Sequence, residues 1–134
     1  MKKAAQLALD TASARGATYA DARVVSIRNR SLSAKNGRVG HASESESLGI
    51  GVRVIAEGAW GFAASADLSR AAVEAAAARA VEIARASARV KLADIRLAPE
   101  PAAVAEWTTP YKVDPFTTSV EQNIDCLLYT SRCV

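Results

Sequence analysis

The fold follows from one stretch, Ser47-Leu48-Gly49-Ile50-Gly51-Val52-Arg53-Val54-Ile55-Ala56-Glu57-Gly58-Ala59-Trp60-Gly61-Phe62-Ala63. Aliphatic side chains alternate with glycine and other residues before and after Glu57-Gly58, which is typical of β-strands. The pair Glu57-Gly58 is typical of a two-residue hairpin turn. The sequence therefore predicts a β-hairpin whose register is counted outward from this turn.

This register gives the hairpin two different faces. The predicted pairs are Ala56–Ala59, Val54–Gly61 and Val52–Ala63 on one face, and Ile55–Trp60, Arg53–Phe62 and Gly51–Ala64 on the other. The first face sets aliphatic side chains against very small ones, which leaves room for a packed helix. The second face carries two aromatic rings that can cover the bare backbone of Gly49 and Gly51. Because both faces are more apolar than a solvated sheet face, we expect helices to cover one and something beyond this chain to cover the other.

Two helices are predicted around the hairpin. One runs from Lys3 to Arg15 and is ended by Gly16. The other runs from Leu68 to Ala88 with Asp67 as its N-cap. Its apolar stripe comprises Ala72, Val73, Ala76, Ala80, Ile83 and Ala84. The expected ion pairs on its opposite face are Arg70–Glu74 and Glu82–Arg85.

A second hairpin precedes the first. Asn36-Gly37 predicts its turn, between a strand from about Tyr19 and a strand through Ser47. The alternation slips once near residues 28–30, which indicates a β-bulge or a break there. The predicted fold class is α+β: an N-terminal helix, a four-stranded antiparallel β-meander, a long C-terminal helix packed on one sheet face, and an extended tail.

The last third of the chain has a different character. Its prolines are Pro99, Pro101, Pro110 and Pro115, so we expect an extended linker there. Ser119-Val120-Glu121-Gln122 could cap and open a further helix, which we expect to be cut short.

Composition argues against several classes of function. The net charge is +3, but the 17 Lys and Arg are scattered, which does not favour nucleic-acid binding. No apolar run approaches the ~18 residues of a membrane span, and no signal peptide is recognised, so we expect a cytoplasmic protein without membrane contact. Cys126 and Cys133 do not make a disulfide framework.

No catalytic, cofactor-binding or metal-ligating residue is predicted in this chain. Gly49-Ile50-Gly51 begins like a dinucleotide fingerprint, but the glycines lie inside a strand and the third glycine is missing. His41 is the sole histidine, whereas a catalytic zinc needs about three protein ligands. We expect His41 to face Leu32 across a strand pair. The segment 43–47 could be a phosphorylation or cation site, but a solvated strand edge is the preferred interpretation.

The ordered motifs resemble the N-terminal domain of the TldD/PmbA family, on its TldD side. The matching segments are Tyr19-Ala20-Asp21-Ala22-Arg23, Lys35-Asn36-Gly37, Gly49-Ile50-Gly51-Val52-Arg53-Val54, Gly58-Ala59-Trp60-Gly61-Phe62-Ala63 and Asp67-Leu68-Ser69, followed by Trp107-Thr108-Thr109-Pro110 and Asp114-Pro115-Phe116. The resemblance covers roughly residues 1–125. Proteins of this family were first described as modulators of DNA gyrase and are regarded as metallopeptidases.

The resemblance implies a zinc-dependent peptidase whose ligands lie in a C-terminal half beyond this chain. It also implies pairing with a related subunit as a homo- or heterodimer, contact with the chain's own C-terminal domain, and peptides or unfolded polypeptides as substrates. The alternative is a free-standing interaction module without peptidase activity.

The expected domain organisation has three parts. Residues 1–90 form the family's N-terminal α+β domain, and residues 91–125 form a proline-containing linker. Cys126-Leu127-Leu128-Tyr129-Thr130-Ser131 resembles the translation of a transposon end from sequencing-library preparation, so we expect residues 126–134 not to be native.

Overall fold

The computed structural model describes residues 1–131, so the last three residues of the segment 126–134 lie outside the described part. The elements in chain order are α1 (Lys2–Ala14), β1 (Tyr19–Lys35), β2 (Arg38–Ala56), β3 (Ala59–Ser65), α2 (Arg70–Ala88) and α3 (Val120–Ser131). The α+β class is confirmed. None of the described helices is long and apolar enough to cross a bilayer.

The sheet has three strands in the order β1-β2-β3, so the prediction of four strands is wrong. The two strands expected on either side of Ser47 are one strand, β2, of 19 residues. The sequence around Ser47 contains no turn-forming pair such as Asn36-Gly37, so the backbone does not reverse there.

Both hairpin turns are confirmed. Asn36 and Gly37 have φ of 53° and 71°, and Glu57 and Gly58 have φ of 51° and 71°. Positive φ at both central residues is the signature of a type I′ turn, whose twist suits a two-residue hairpin. The β2–β3 register runs from Ile50↔Ser65 to Ala56↔Ala59 and contains every predicted pair.

Side-chain contacts indicate that the alternation along the β1–β2 ribbon changes between its turn and its other end. A Cβ added at Gly40 would lie 3.2 Å from the Ser33 Oγ, and both residues stand three positions from the turn pair. Asp21 pairs with Arg53, although Asp21 stands fifteen residues before Asn36 and Arg53 sixteen after Gly37. The alternation therefore changes between these two contacts, whereas β1 is continuous through residues 28–30 and β2 is continuous as well.

The ends of α1 and α2 are fixed by local hydrogen bonds. Gly16, at φ 87°, follows α1, and the Ala17 N–H donates to the Ala12 carbonyl at 3.1 Å in a Schellman arrangement. The N-cap of α2 is Ser69, whose hydroxyl accepts from the Ala72 N–H at 3.4 Å, so the prediction of Asp67 was wrong by two residues.

The chain divides into two compact units. The first contains residues 1–27 and 46–99, and its core lies between the hairpin and the helices α1 and α2. The residues of α2 that are buried are Val73, Ala76, Ala77, Ala80, Val81 and Ala84. The stripe is therefore slightly rotated from the prediction, with Ala77 and Val81 in place of Ala72 and Ile83. Small side chains let the α2 backbone approach β3 at Gly61.

The charged face of α2 agrees only in part with expectation. Arg70 donates to Glu74 at 2.8 Å as predicted. Glu82 instead accepts from Arg79 at 3.4 Å, because Arg85 turns away to the Arg15 carbonyl at 2.7 Å.

The second unit contains residues 28–45 and the described residues from Glu100 onward. Residues 96–113 form no helix or strand, and their side chains are exposed. α3 begins at Val120 and continues through Ser131, so among the described residues it is longer than the short helix that we expected there. The Ser119 Oγ accepts from the Gln122 N–H at 3.2 Å, which confirms the predicted cap.

Candidate interaction surface

The hairpin face opposite α2 carries the side chains that could bind another molecule. Even-numbered residues of β2 from Ile50 to Ala56 point into the core, so the odd-numbered ones point to the other face. Arg53 lies there opposite Phe62, and Ile55 lies opposite Trp60, as predicted. We call this face, with Tyr19 and Asp21 of β1, the open face.

An ion pair organises the centre of the open face. Arg53 Nε and Nη2 each lie 2.7 Å from Asp21 Oδ2, so the guanidinium meets the carboxylate with two donors. Tyr19 donates its hydroxyl to the same oxygen at 3.1 Å, and Arg23 approaches Asp21 Oδ1 at 3.7 Å. The Asp21 carboxylate raises the pKa of Arg53 above its ordinary value, first through this hydrogen bond and then through charge attraction.

Aromatic contacts continue from the ion pair along β3. The Tyr19 and Trp60 ring centroids are 5.8 Å apart at 86°, an edge-to-face arrangement. The Arg53 guanidinium carbon lies 5.0 Å from the Trp60 ring centroid, within cation–π range. Tyr19, Asp21, Arg53 and Trp60 therefore hold one another in fixed orientations.

Phe62 extends this surface and remains 57% exposed. A Cβ on Gly51 would lie 3.1 Å from Phe62 Cε2, so the ring covers the bare backbone there, as the sequence predicted. Gly49 differs in this respect. Among the described residues, the atom nearest to a Cβ added at Gly49 would be the Ser65 carbonyl oxygen, at 3.1 Å, and not an atom of an aromatic ring. The open face thus combines a rigid aromatic and arginine patch with flat backbone, a composition typical of interface centres.

The acidic side chain of the open face is held by contacts within the face. The Asp21 carboxylate is already engaged by Arg53 and Tyr19. Among residues 1–131, no group of three or more His, Cys, Asp and Glu is placed to hold a metal ion.

Of the other residues that the sequence analysis discussed, His41 and Glu44 lie outside the open face. His41 is exposed, and its Nε2 lies 2.9 Å from Ser43 Oγ on the same strand. Glu44 is paired with two arginines rather than lying free at a strand edge. Gly49 and Gly51 lie within β2, as expected for structural glycines.

Sequence reasoning missed the roles of Asp21 and Tyr19. Both were noted as part of a motif, but their partner Arg53 is 32 residues from Asp21. The only available signal was the pair of alternate positions 19 and 21, which place two polar side chains on one face of an expected strand.

Comparison with known families agrees with this fold. Residues 20–84 match the family model described as PmbA/TldA metallopeptidase domain 1. The matched segment begins in β1 and ends in α2, and so includes both hairpin turns and the helix beneath the sheet. No curated protein sequence matches the chain. Residues 20–84 of this chain therefore match an N-terminal domain of the TldD/PmbA metallopeptidase family.

Proposed function

We propose that this chain is the N-terminal, non-catalytic part of a TldD-like zinc metallopeptidase that cleaves peptides or unfolded polypeptides. The observation that carries the proposal is the match of residues 20–84 to the first domain of a metallopeptidase family. In this proposal residues 1–90 are the folded domain, and the following linker leads to a C-terminal domain with the reactive centre.

Zinc is the proposed cofactor of the whole protein, and its ligands come from outside this chain. A hydrolytic zinc site takes about three protein ligands and keeps one position for water. The described residues do not fit this requirement, because no suitable cluster of His, Cys, Asp and Glu exists among them. We therefore derive no catalytic step from these residues.

The domain contributes a scaffold, subunit contacts and part of the substrate cleft. The core side of the hairpin is closed by α2, whereas the open face leaves Phe62 exposed. A related subunit covering this face would bury the aromatic patch and leave the Asp21–Arg53 pair internally satisfied.

An extended peptide could be held by strand addition at a sheet edge. The strand order β1-β2-β3 leaves β1 and β3 as the outer strands of the described sheet. Main-chain pairing at such an edge recognises backbone rather than side chains, which suits unfolded substrates of varied sequence. A peptide-bound structure of the whole protein without main-chain pairing to residues 20–65 would refute this part.

The central experiment is to read the natural gene past the codon for Asp125. The proposal expects an open frame that encodes two histidines with an intervening glutamate on one helix, followed by further ligands. The protein expressed from that frame should contain zinc and cleave unfolded peptides, and loss of the glutamate should abolish cleavage. A frame that closes without such a helix would contradict the proposal.

The alternative is a free-standing cytoplasmic interaction module. The exposed aromatic patch on the open face is the observation that favours it. The same gene reading separates the two, because a module needs no zinc helix downstream. Trp60→Ala in the whole protein should weaken the pairing of subunits, with Trp107→Ala as a control on another exposed ring.

A further inference from the structure

A second cluster of contacts, within the unit that contains residues 28–45, fastens the segment ahead of α3 to the long hairpin. We call residues 28–45 the arm and residues 114–118 the latch segment. Both belong to the same compact unit. Neither lies within the open face.

One carboxylate on the arm orients two guanidinium groups. Glu44 Oε1 accepts from Arg28 Nε at 2.9 Å and from its Nη2 at 2.7 Å. Glu44 Oε2 accepts from Arg30 Nε at 3.1 Å, and Arg30 Nη2 lies 3.0 Å away. These hydrogen bonds, that of Arg28 first, hold the pKa of Glu44 below its ordinary value, so the carboxylate stays ionised near neutral pH.

The latch segment contacts both guanidinium groups, through the Phe116 ring and through two backbone carbonyls. The Phe116 ring centroid lies 4.4 Å from the Arg28 guanidinium carbon and 5.2 Å from that of Arg30. Arg30 Nη1 also donates to the Thr118 carbonyl at 2.8 Å and to the Pro115 carbonyl at 3.3 Å. The Arg30 side chain is only 12% exposed as a result.

The latch segment is itself preorganised. The Asp114 side chain accepts from the Phe116 N–H at 2.9 Å, and the Asp114 carbonyl accepts from the Thr117 N–H at 3.1 Å. Pro115 between them fixes its own φ. Little conformational freedom is therefore lost when Phe116 docks.

α3 is short, so a contact directly ahead of it can decide whether it stays folded. It has 12 residues, a length at which an isolated helix is marginal in water. Its stripe is only half-buried and comprises Val120, Asn123, Ile124, Leu127 and Leu128. On its N-terminal side, residues 96–113 form no helix or strand, and the latch segment lies directly ahead of the helix. Asn123 lines the same groove as Phe116, Arg28 and Arg30.

We propose that residues 114–118 are a separable latch, whose docking between Arg28 and Arg30 on the arm holds α3 in its folded position. The segment has a docked state and an undocked state, and the Phe116 ring and the Glu44 charge set the balance between them. This inference is independent of the proposed peptidase function, because it concerns only the order of α3 in the chain described here.

Amide hydrogen exchange of the 134-residue chain tests the latch. Phe116→Ala should raise the exchange rates of residues 120–131 about tenfold, because two cation–π contacts and an apolar wedge are lost. Rates in the β2–β3 hairpin, residues 52–63, should not change. Phe62→Ala is the matched control, since Phe62 is a partly exposed ring on β3 without a role in the latch.

Phe116→Ala could also raise exchange throughout the arm, so two more conservative variants complete the test. Arg30→Lys retains the charge but not the forked donors, and Glu44→Gln retains the shape but not the charge. Both should raise exchange in α3 by a few-fold. Unchanged exchange at 120–131 in all three variants, an equal rise throughout residues 52–63, or an equal effect of Phe62→Ala would each overturn the proposal.

Discussion

Gly61 of β3 and Ala84 of α2 meet backbone to backbone. A Cβ added at Gly61 would lie 2.6 Å from the Ala84 N and 2.9 Å from its Cβ, and would overlap the Ala80 carbonyl oxygen. These atoms belong to a helix and cannot give way like the end of a long side chain. The separation of sheet and helix is therefore set by the absence of one methyl group.

Gly61→Ala should lower the free energy of unfolding by about 3 kcal/mol, since α2 must shift to admit the new atom. Urea unfolding followed by far-UV circular dichroism measures this change. Gly51→Ala is the matched control in the same hairpin, because its Cβ would meet only the ring of exposed Phe62. That control should cost under about 1 kcal/mol. Equal losses for the two variants would refute this account of the α2–β3 contact.

Glu57→Asn should raise the free energy of unfolding by about 0.5 kcal/mol. Glu57 has φ 51°, a region that asparagine tolerates better than glutamate, as its occurrence in type I′ turns shows. The lost pairing with Arg85, at 3.6 Å between exposed side chains, contributes little. Glu57→Gln removes the same charge without relieving the backbone and should be close to neutral. Thermal unfolding of both variants decides, and equal stabilisation by Gln would point to charge instead of backbone conformation.

Asp67→Asn should reduce stability at neutral pH and flatten its acid dependence. The Ser69 N–H donates to Asp67 Oδ1 at 2.7 Å and the Ser69 hydroxyl to Oδ2 at 2.8 Å, and they lower the pKa of Asp67 below its ordinary value of 3.8. A depressed folded-state pKa contributes stability that is present above the unfolded value and lost as pH falls through the folded one. Urea midpoints at pH 6, 5, 4 and 3 should therefore converge for wild type and variant as pH falls. A constant difference between them would contradict the role of this carboxylate.

The 134-residue chain should contain no stoichiometric zinc and cleave no peptide. The described residues offer no cluster of ligands, and thus nothing to compete with a chelator. Elemental analysis after dialysis and a digest of an unfolded reporter peptide measure the two properties. One equivalent of zinc that survives dialysis, or cleavage that EDTA abolishes, would contradict the assignment of the catalytic centre to another part of the protein.

Turn chemistry made the hairpins predictable. Asn36-Gly37 and Glu57-Gly58 each occupy positive φ, and the alternation on both sides then fixes the β2–β3 register residue by residue. The close approach of a helix at Gly61 was also predictable from the sequence, because the register places Gly61 on the sheet face that a helix of small residues covers. Short-range chemistry thus accounts for the parts of the fold that were confirmed.

The errors arose where two local solutions compete or where partners are distant. Asp67 and Ser69 are both good capping residues. The Asp67 N–H donates to the Ser65 hydroxyl at 3.0 Å, and this hydrogen bond helps to form the bend after which Ser69 caps the helix. The contact of Arg28 and Arg30 with Phe116 joins residues more than eighty positions apart, and no hydrophobic period or sequence motif indicates it. The sequence predicts one strand too many because its composition changes near Ser47, whereas the backbone keeps its direction there.

The unequal strand lengths determine where the sequence of this domain can accept insertions. β1 and β2 have 17 and 19 residues, whereas β3 has seven. Side chains alternate along a strand, so two residues inserted on each side of Asn36-Gly37 would keep every existing side chain on its present face, while a single insertion would invert part of the ribbon. Homologous domains are therefore free to vary this ribbon in even increments while the packing of β3 beneath α2 stays constant.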